Sequence, residues 1–325
     1  MRQAKLYRYT LPVETGVILR NRRLKQREGL IIHLIENEQH GWGEIAPLPE
    51  FSLEDLNCAE QQTRDWLTKW LTQQAVCLDN YAPSVAFGIS CALAEIAHQL
   101  GKEANYQAAP LCYGDPDELY QKLNQIEGEK VAKIKVGLYE ANRDGLIADM
   151  FLDAIPELKL RLDANRAWTT EKAALFTSKI KPEHRSRIQF IEEPCKTPEL
   201  SRQFAQEQQI AIAWDETVRD TGFVLQKEPY LTAIVIKPTL IGSIEKCVGL
   251  IKQAQSLGII AVISSSIESS LGLTQLARLA QQYTPNTVPG LDTLDLMQFQ
   301  LLRPWQGSIL PLADLNSPFI TELAL

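Results

Sequence analysis

From Val131 onward, short β-branched runs alternate with amphipathic stretches, and this alternation restricts the fold more than any other feature of the chain. The runs are VAKIKVG (131–137), LKLRLD (158–163), IQFIE (188–192), IAIAWD (210–215), TAIVIK (232–237) and IIAVISS (259–265). Between them lie stretches with helical periodicity: Ala141–Ala154, Thr170–Ile180, Leu200–Gln208, Ser243–Leu257 and Leu271–Gln282. Strand, helix, strand, repeated this often, predicts βα units and a parallel sheet. The repeat carries neither G-x-G-x-x-G nor G-x-x-x-x-G-K-[ST], so nucleotide-binding open sheets lose support. A closed, TIM-like (β/α) barrel of the α/β class gains it.

The first hundred residues read differently. KLYRYTLP, GVILR, GLIIHLIE and GWGE look like antiparallel strands with Gly or Pro at the joins. Two helices follow, from about Leu53 to Leu71 and from about Ser84 to Leu100, where Pro83 sits early and Gly101 supplies a stop. The expected division is an α+β unit at 1–104, a barrel at 105–312, and a tail at 313–325 packing back towards the first unit.

Composition narrows the partners. A chain of 325 residues with 45% hydrophobic content can bury a sizeable core, and its net charge of −7 disfavours general attraction to nucleic acid or an anionic membrane. No apolar stretch approaches the roughly 20 residues of a membrane span, and MRQAKLYRYT has no apolar signal region. A cytoplasmic protein acting on a small molecule, as a monomer or weak homo-oligomer, is the expectation. Six cysteines lie far apart without C-x-x-C, so neither a zinc site nor a disulfide framework is indicated.

Four successive strand candidates end in charge: Asp163, Glu192, Asp215 and Lys237, separated by 29, 23 and 22 residues. One such acid alone is ordinary as a helix cap or a solvated strand end. In a barrel, however, every parallel strand ends at one face, where such enzymes place their chemistry. Three carboxylates converging there would repel one another unless a cation joined them, and a hard divalent ion such as Mg2+ is the natural partner.

Lys133 and Lys135 stand two apart on the first of these strands and therefore share a face. Inside a barrel, a second ammonium or a nearby divalent ion lowers a lysine pKa towards that of a general base; on an edge strand both would simply be solvated. Lys237, four strands on, would lie across the mouth, unless it serves only a helix terminus. The serine-rich strand exit SSSIESS (264–270) lacks a nucleophile elbow and suits hydroxyl and backbone donors to an anion. The four histidines, 33, 40, 98 and 184, are scattered and read as surface or structural. Arg20, Arg22, Arg23, Lys25 and Arg27 form a basic run that is either a solvated loop or a cationic lid.

At this point the motifs become specific. K-x-K at Lys133 and Lys135, LDAN at Leu162–Asn165, IEEP at Ile191–Pro194, WDE at Trp214–Glu216 and IVIKP ending at Pro238 together resemble the enolase superfamily in its muconate-lactonizing-type branch. RNRRLKQREG, PSVAFGISCALAE, GEKVAKIKVGLYE, RLDANRAWT, VISSSIESSLGLTQLA and PGLDTLDLMQ resemble, within it, the o-succinylbenzoate synthase family of menaquinone biosynthesis. The resemblance spans about residues 4 to 312. It implies an N-terminal α+β capping domain over a (β/α)7β barrel. It implies Mg2+, with Mn2+ substituting, on Asp163, Glu192 and Asp215, and a catalytic pair Lys135 and Lys237 with Lys133 tuning the former. Arg161, Asn165, Ser264 and Arg20 are the expected contacts to a dicarboxylate substrate, Arg161 also as a brace. The implied reaction is Mg-dependent dehydration of 2-succinyl-6-hydroxy-2,4-cyclohexadiene-1-carboxylate to o-succinylbenzoate.

Two rivals remain at this level. An N-acylamino acid or dipeptide racemase on the same scaffold would use Lys135 and Lys237 as opposed bases. A non-catalytic, metal-stabilised binding protein is the other, because fold alone does not establish activity.

Overall fold

The computed structural model describes residues 1–14, 18–19, 22–112 and 116–325, without the side chains of 18, 19 and 22. Strand β1 (Arg2–Pro12) is followed by a short antiparallel ladder of β2 (Ile18–Leu19) with β3 (Arg22–Arg23), and then by β4 (Gln26–Glu36) and β5 (Gln39–Ile45). β1 and β4 pair antiparallel from Arg2↔Glu36 to Pro12↔Gln26. β4 turns into β5 through Asn37 and Glu38 alone, both at positive φ (50° and 67°), the geometry whose twist matches a two-residue hairpin.

Helices α1 (Leu56–Leu71) and α2 (Pro83–Ile96) cover one face of this sheet. Asp55 caps α1 by accepting from the Cys58 N–H, and Pro83 opens α2 at a position where no N–H is needed. Leu6, Leu30, Ile32 and Leu34 pack there against Trp66, Leu67, Trp70, Val85 and Ile89. α2 is buried nearly all round because it lies between this sheet and the barrel helices.

The second layer is a curled parallel sheet of β6 (Leu111–Cys112), β7 (Val131–Lys135), β8 (Lys159–Asp163), β9 (Ile188–Glu192), β10 (Ile212–Trp214), β11 (Leu231–Ile236) and β12 (Ile260–Ile263), neighbours in sequence being neighbours in space. The helices between and after them are α3 (Pro116–Asn124), α4 (Ala141–Ala154), α5 (Thr170–Thr177), α6 (Pro198–Gln208), α7 (Pro238–Ile241), α8 (Ile244–Ser256) and α9 (Ser270–Tyr283). After β10 the connection is a 3-10 turn, Glu216–Arg219. An extended segment around Gly290 closes the ring. The Gly290 N–H donates to Ile263 O (2.9 Å), the Ser265 N–H to Gly290 O (3.0 Å), and on the far side the Ala109 N–H to Pro289 O (2.9 Å). A Cβ on Gly290 would lie 2.8 Å from Ser264 Oγ, so a larger residue in this closure would have to displace that hydroxyl. The result is the (β/α)7β barrel, its interior filled by Phe190, Ala213, Ala233 and Val262.

The chain then returns. β13 (Gln300–Leu301) pairs with β14 (Leu312–Ala313), and β15 (Ile320–Leu323) joins the free edge of β1, giving the first sheet the order β15-β1-β4-β5. No helix among the described residues is long and apolar enough to cross a membrane.

Candidate active site

Strand alternation decides which side chains look into the barrel mouth. Phe190 and Ala213 belong to the interior layer, so Glu192 and Asp215, two residues further on, stand above it on the same side. Lys135 pairs in register with Asp163, and Asp163 with Glu192. Lys237 follows β11 directly. The six residues singled out from sequence, Lys133, Lys135, Asp163, Glu192, Asp215 and Lys237, therefore belong to one mouth.

Lys133 Nζ bridges Asp163 Oδ2 (2.8 Å) and Glu192 Oε2 (2.7 Å), while Lys237 Nζ meets Asp215 Oδ2 at 2.5 Å. Asp215 Oδ1 is buried without a hydrogen-bond partner. Among the described residues no three acidic, imidazole or thiol groups stand in the spacing of a bound ion, and the two ammonium groups lie between the carboxylates instead. Lys135 is exposed, and among the described residues its ammonium makes no hydrogen bond or ion pair.

Burial and charge pull in opposite directions here. Burial alone would lower the Lys133 pKa, but Asp163, Glu192 and Asp215 outweigh it and hold the ammonium above the ordinary lysine value. Lys237 is raised likewise, its burial outweighed chiefly by Asp215. Burial drives the Glu192 carboxyl up, whereas Asp163 is held below the usual range by Lys133 and Lys237 in spite of its burial. Carboxylates are the nearest charged neighbours of both Lys133 and Lys237.

Residues 1–96 match the family model described as MenC, N-terminal domain, and residues 118–305 match enolase C-terminal domain-like. An o-succinylbenzoate synthase of Pasteurella multocida is 64% identical over 333 residues, covering 100% of this chain and 99% of its own length. The chain belongs to the o-succinylbenzoate synthase family of the enolase superfamily. The family member of Haemophilus influenzae is also 64% identical, with 98% of both chains covered. Among solved structures, the o-succinylbenzoate synthase of Thermosynechococcus elongatus BP-1, complexed with Mg in its active site, has a TM-score of 0.69 at 22% identity, covering 89% of this chain and 92% of its own. The L-Ala-D/L-Glu epimerase of Bacillus subtilis has a TM-score of 0.71 at 20% identity, covering 91% and 90%. At those identities the likeness is one of fold.

Of the other residues expected in a family site, Asn165 lies at the mouth, at φ 44°, with its N–H on Asp163 Oδ1 (3.1 Å) and its own Oδ1 buried and unpartnered. Ser264 Oγ is engaged with Gly290 O (3.1 Å). Arg161 lies two residues below Asp163, buried, donating to Gln189 Oε1 (2.8 Å) and Val288 O (2.6 Å). Through these two bonds it ties β8 to β9 and to the segment that closes the barrel. Arg20 lies outside the described residues. The basic run is corrected at Arg27, which is 1% exposed and bound to four carbonyl groups, so it is no lid cation; Arg23 and Lys25 are exposed.

Glu193 was not singled out from sequence. Its buried carboxylate accepts from the N–H groups of Asp215 (3.1 Å) and Thr217 (2.8 Å) and from Arg166 Nε (3.1 Å), and so fixes the exit of β10. The doubled acid of IEEP carries that signal, since alternation sends adjacent residues to opposite faces.

Proposed function

We propose that the chain dehydrates 2-succinyl-6-hydroxy-2,4-cyclohexadiene-1-carboxylate to o-succinylbenzoate and water, at the mouth lined by Lys135, Lys237 and the three strand-end carboxylates. The observation that carries this reading is the contrast among the lysines. Lys133 and Lys237 are locked to carboxylates, while Lys135 is exposed and has no such partner among the described residues.

A divalent ion suits the carboxylates: three buried acids of like charge, one oxygen of Asp215 without a partner, and hard oxygen donors throughout. Asp163, Glu192 and Asp215 would hold Mg2+, which supplies stabilisation for the negative charge that builds on the substrate carboxylate when the adjacent proton leaves.

Lys135, neutral, takes the α-proton; as ammonium it returns that proton to the departing β-hydroxyl, which leaves as water as the ring becomes aromatic. Lys237 stays charged against Asp215 and steadies the planar anion from the opposite wall. Its ion pair favours this role over that of a second base, and so favours dehydration over racemisation. Lys133 keeps its proton and spaces Asp163 from Glu192.

Ring aromatisation followed by ultraviolet absorbance tests the reading. The protein with Mg2+ is expected to turn over, and chelation or Asp215→Asn to stop it. Lys135→Ala should lose about 10²–10⁴-fold in kcat along with solvent exchange of the α-proton. Near wild-type turnover in Lys135→Ala would move the base elsewhere, and exchange of an amino-acid α-proton without dehydration would favour the racemase.

A further inference from the structure

The loop after β12, residues 264–269, is held from the capping layer as well as from the barrel. Ile267 stands at φ 59°, a left-handed conformation that a β-branched residue adopts only under constraint. Its carbonyl accepts from Arg27 Nε at 2.8 Å, across 240 positions of sequence. The rest of that guanidinium is fixed by Pro47 O (2.8 Å), Glu28 O (3.0 Å) and Ala46 O (2.5 Å), so Arg27 is a rigid post.

The neighbouring loop groups are also tied. The Ile267 N–H donates to Ser265 Oγ (2.9 Å), and the Ser266 N–H to Glu268 Oε2 (2.6 Å). Glu268 Oε1 accepts from Thr239 Oγ1 (2.6 Å), two residues past Lys237. Glu44, also from the first sheet, accepts from the Ser269 N–H (3.0 Å), Ser269 Oγ (2.7 Å) and the Gly272 N–H (2.7 Å). Within this network the Ser266 hydroxyl is buried and has no partner among the described residues. An unsatisfied buried hydroxyl is costly and persists where the surrounding structure forces it.

We propose that Arg27 is a positioning residue for the reaction site. Through the Ile267 carbonyl it holds residues 264–268, where the chain leaves β12 on the face that carries the carboxylates, in a conformation that leaves the buried Ser266 hydroxyl unpaired, and so sets the affinity for substrate. The inference rests on the dehydration reading above. It assigns to the capping sheet a part in ground-state binding that does not touch the reacting atoms.

Arg27→Met and Arg27→Lys, assayed for kcat and KM by aromatisation and for o-succinylbenzoate binding by calorimetry, test it. Arg27→Met should raise KM and weaken product binding about tenfold while kcat changes by less than about threefold, with Arg27→Lys intermediate. A purely structural role would lower Tm and the active fraction, and hence apparent kcat, but leave KM unmoved. If Arg27→Met does not fold, Arg27→Lys decides. KM and product affinity within about twofold of wild type in the folded variants overturn the inference alone. A wild type that neither aromatises the substrate nor binds the product overturns the reading of the site, and this inference with it.

Discussion

His33 lies flat on Trp42, ring centroids 3.8 Å apart, with Nε2 2.9 Å from His40 Nδ1. One ring must present a lone pair to the other, so protonating both breaks the contact. Burial, then the neighbouring His40 and the Lys5 cation, lower the His33 pKa from 6.5 to about 4. Between those values the unfolded chain binds more protons than the folded one. The contribution of His33 to stability is therefore complete above about pH 6.5 and is lost as pH falls towards 4. Titration of the imidazole resonances should give His33 a midpoint well below an ordinary histidine, and His33→Phe should flatten the acid limb of the stability profile between those pH values. A His33 midpoint near 6.5 in the folded protein would contradict this.

At the scale of elements, the capping sheet and α2 approach so closely that backbone meets backbone. A Cβ on Gly43 would lie 1.9 Å from Gly88 O, and one on Gly41 would lie 1.9 Å from Ala92 O. Gly43→Ala must pry β5 from α2, at a cost of about 3 kcal/mol, the upper range for overpacking. Gly249→Ala on exposed α8 meets nothing within 4 Å and should instead stabilise by about 0.5–1 kcal/mol. Urea midpoints of the two variants, moving in opposite directions, check both. The elements themselves were readable to very different degrees. α4 runs over Ala141–Ala154 as its periodicity predicts, and the runs at 131–137, 188–192 and 232–237 became β7, β9 and β11, as their β-branched and aromatic content favours. β6 has only two residues, and the closure at Gly290 has no period at all, so neither left a pattern to read. A run of cations reads as solvated from spacing, whereas β4, paired with β1, turns Arg27 inward. At the mouth, spacing alone identified the charged residues at the strand ends. Which lysine each acid would hold depends on side-chain reach across the barrel, which spacing does not encode.

Taken whole, the molecule joins its first and last strands as neighbours in one sheet. β15 covers the edge of β1 from Leu6↔Leu323 to Tyr9↔Ile320. Deleting residues 318–325 should uncover that edge, lower the urea midpoint and produce concentration-dependent association on size-exclusion chromatography, since an open strand edge templates pairing with another copy. A monomeric, equally stable truncation would show that the edge is protected some other way. The same returning strand bears on how the chain acquires its structure during synthesis. β15 follows β1 by roughly 300 residues, a pairing of very high contact order. At ribosomal rates it leaves the tunnel roughly 15–60 s after its partner. Throughout that interval the nascent first sheet carries a bare edge while the barrel is made. Completion of the first sheet therefore waits on β15, and the aggregation hazard falls on the ribosome-bound intermediate rather than on the protein with that strand in place.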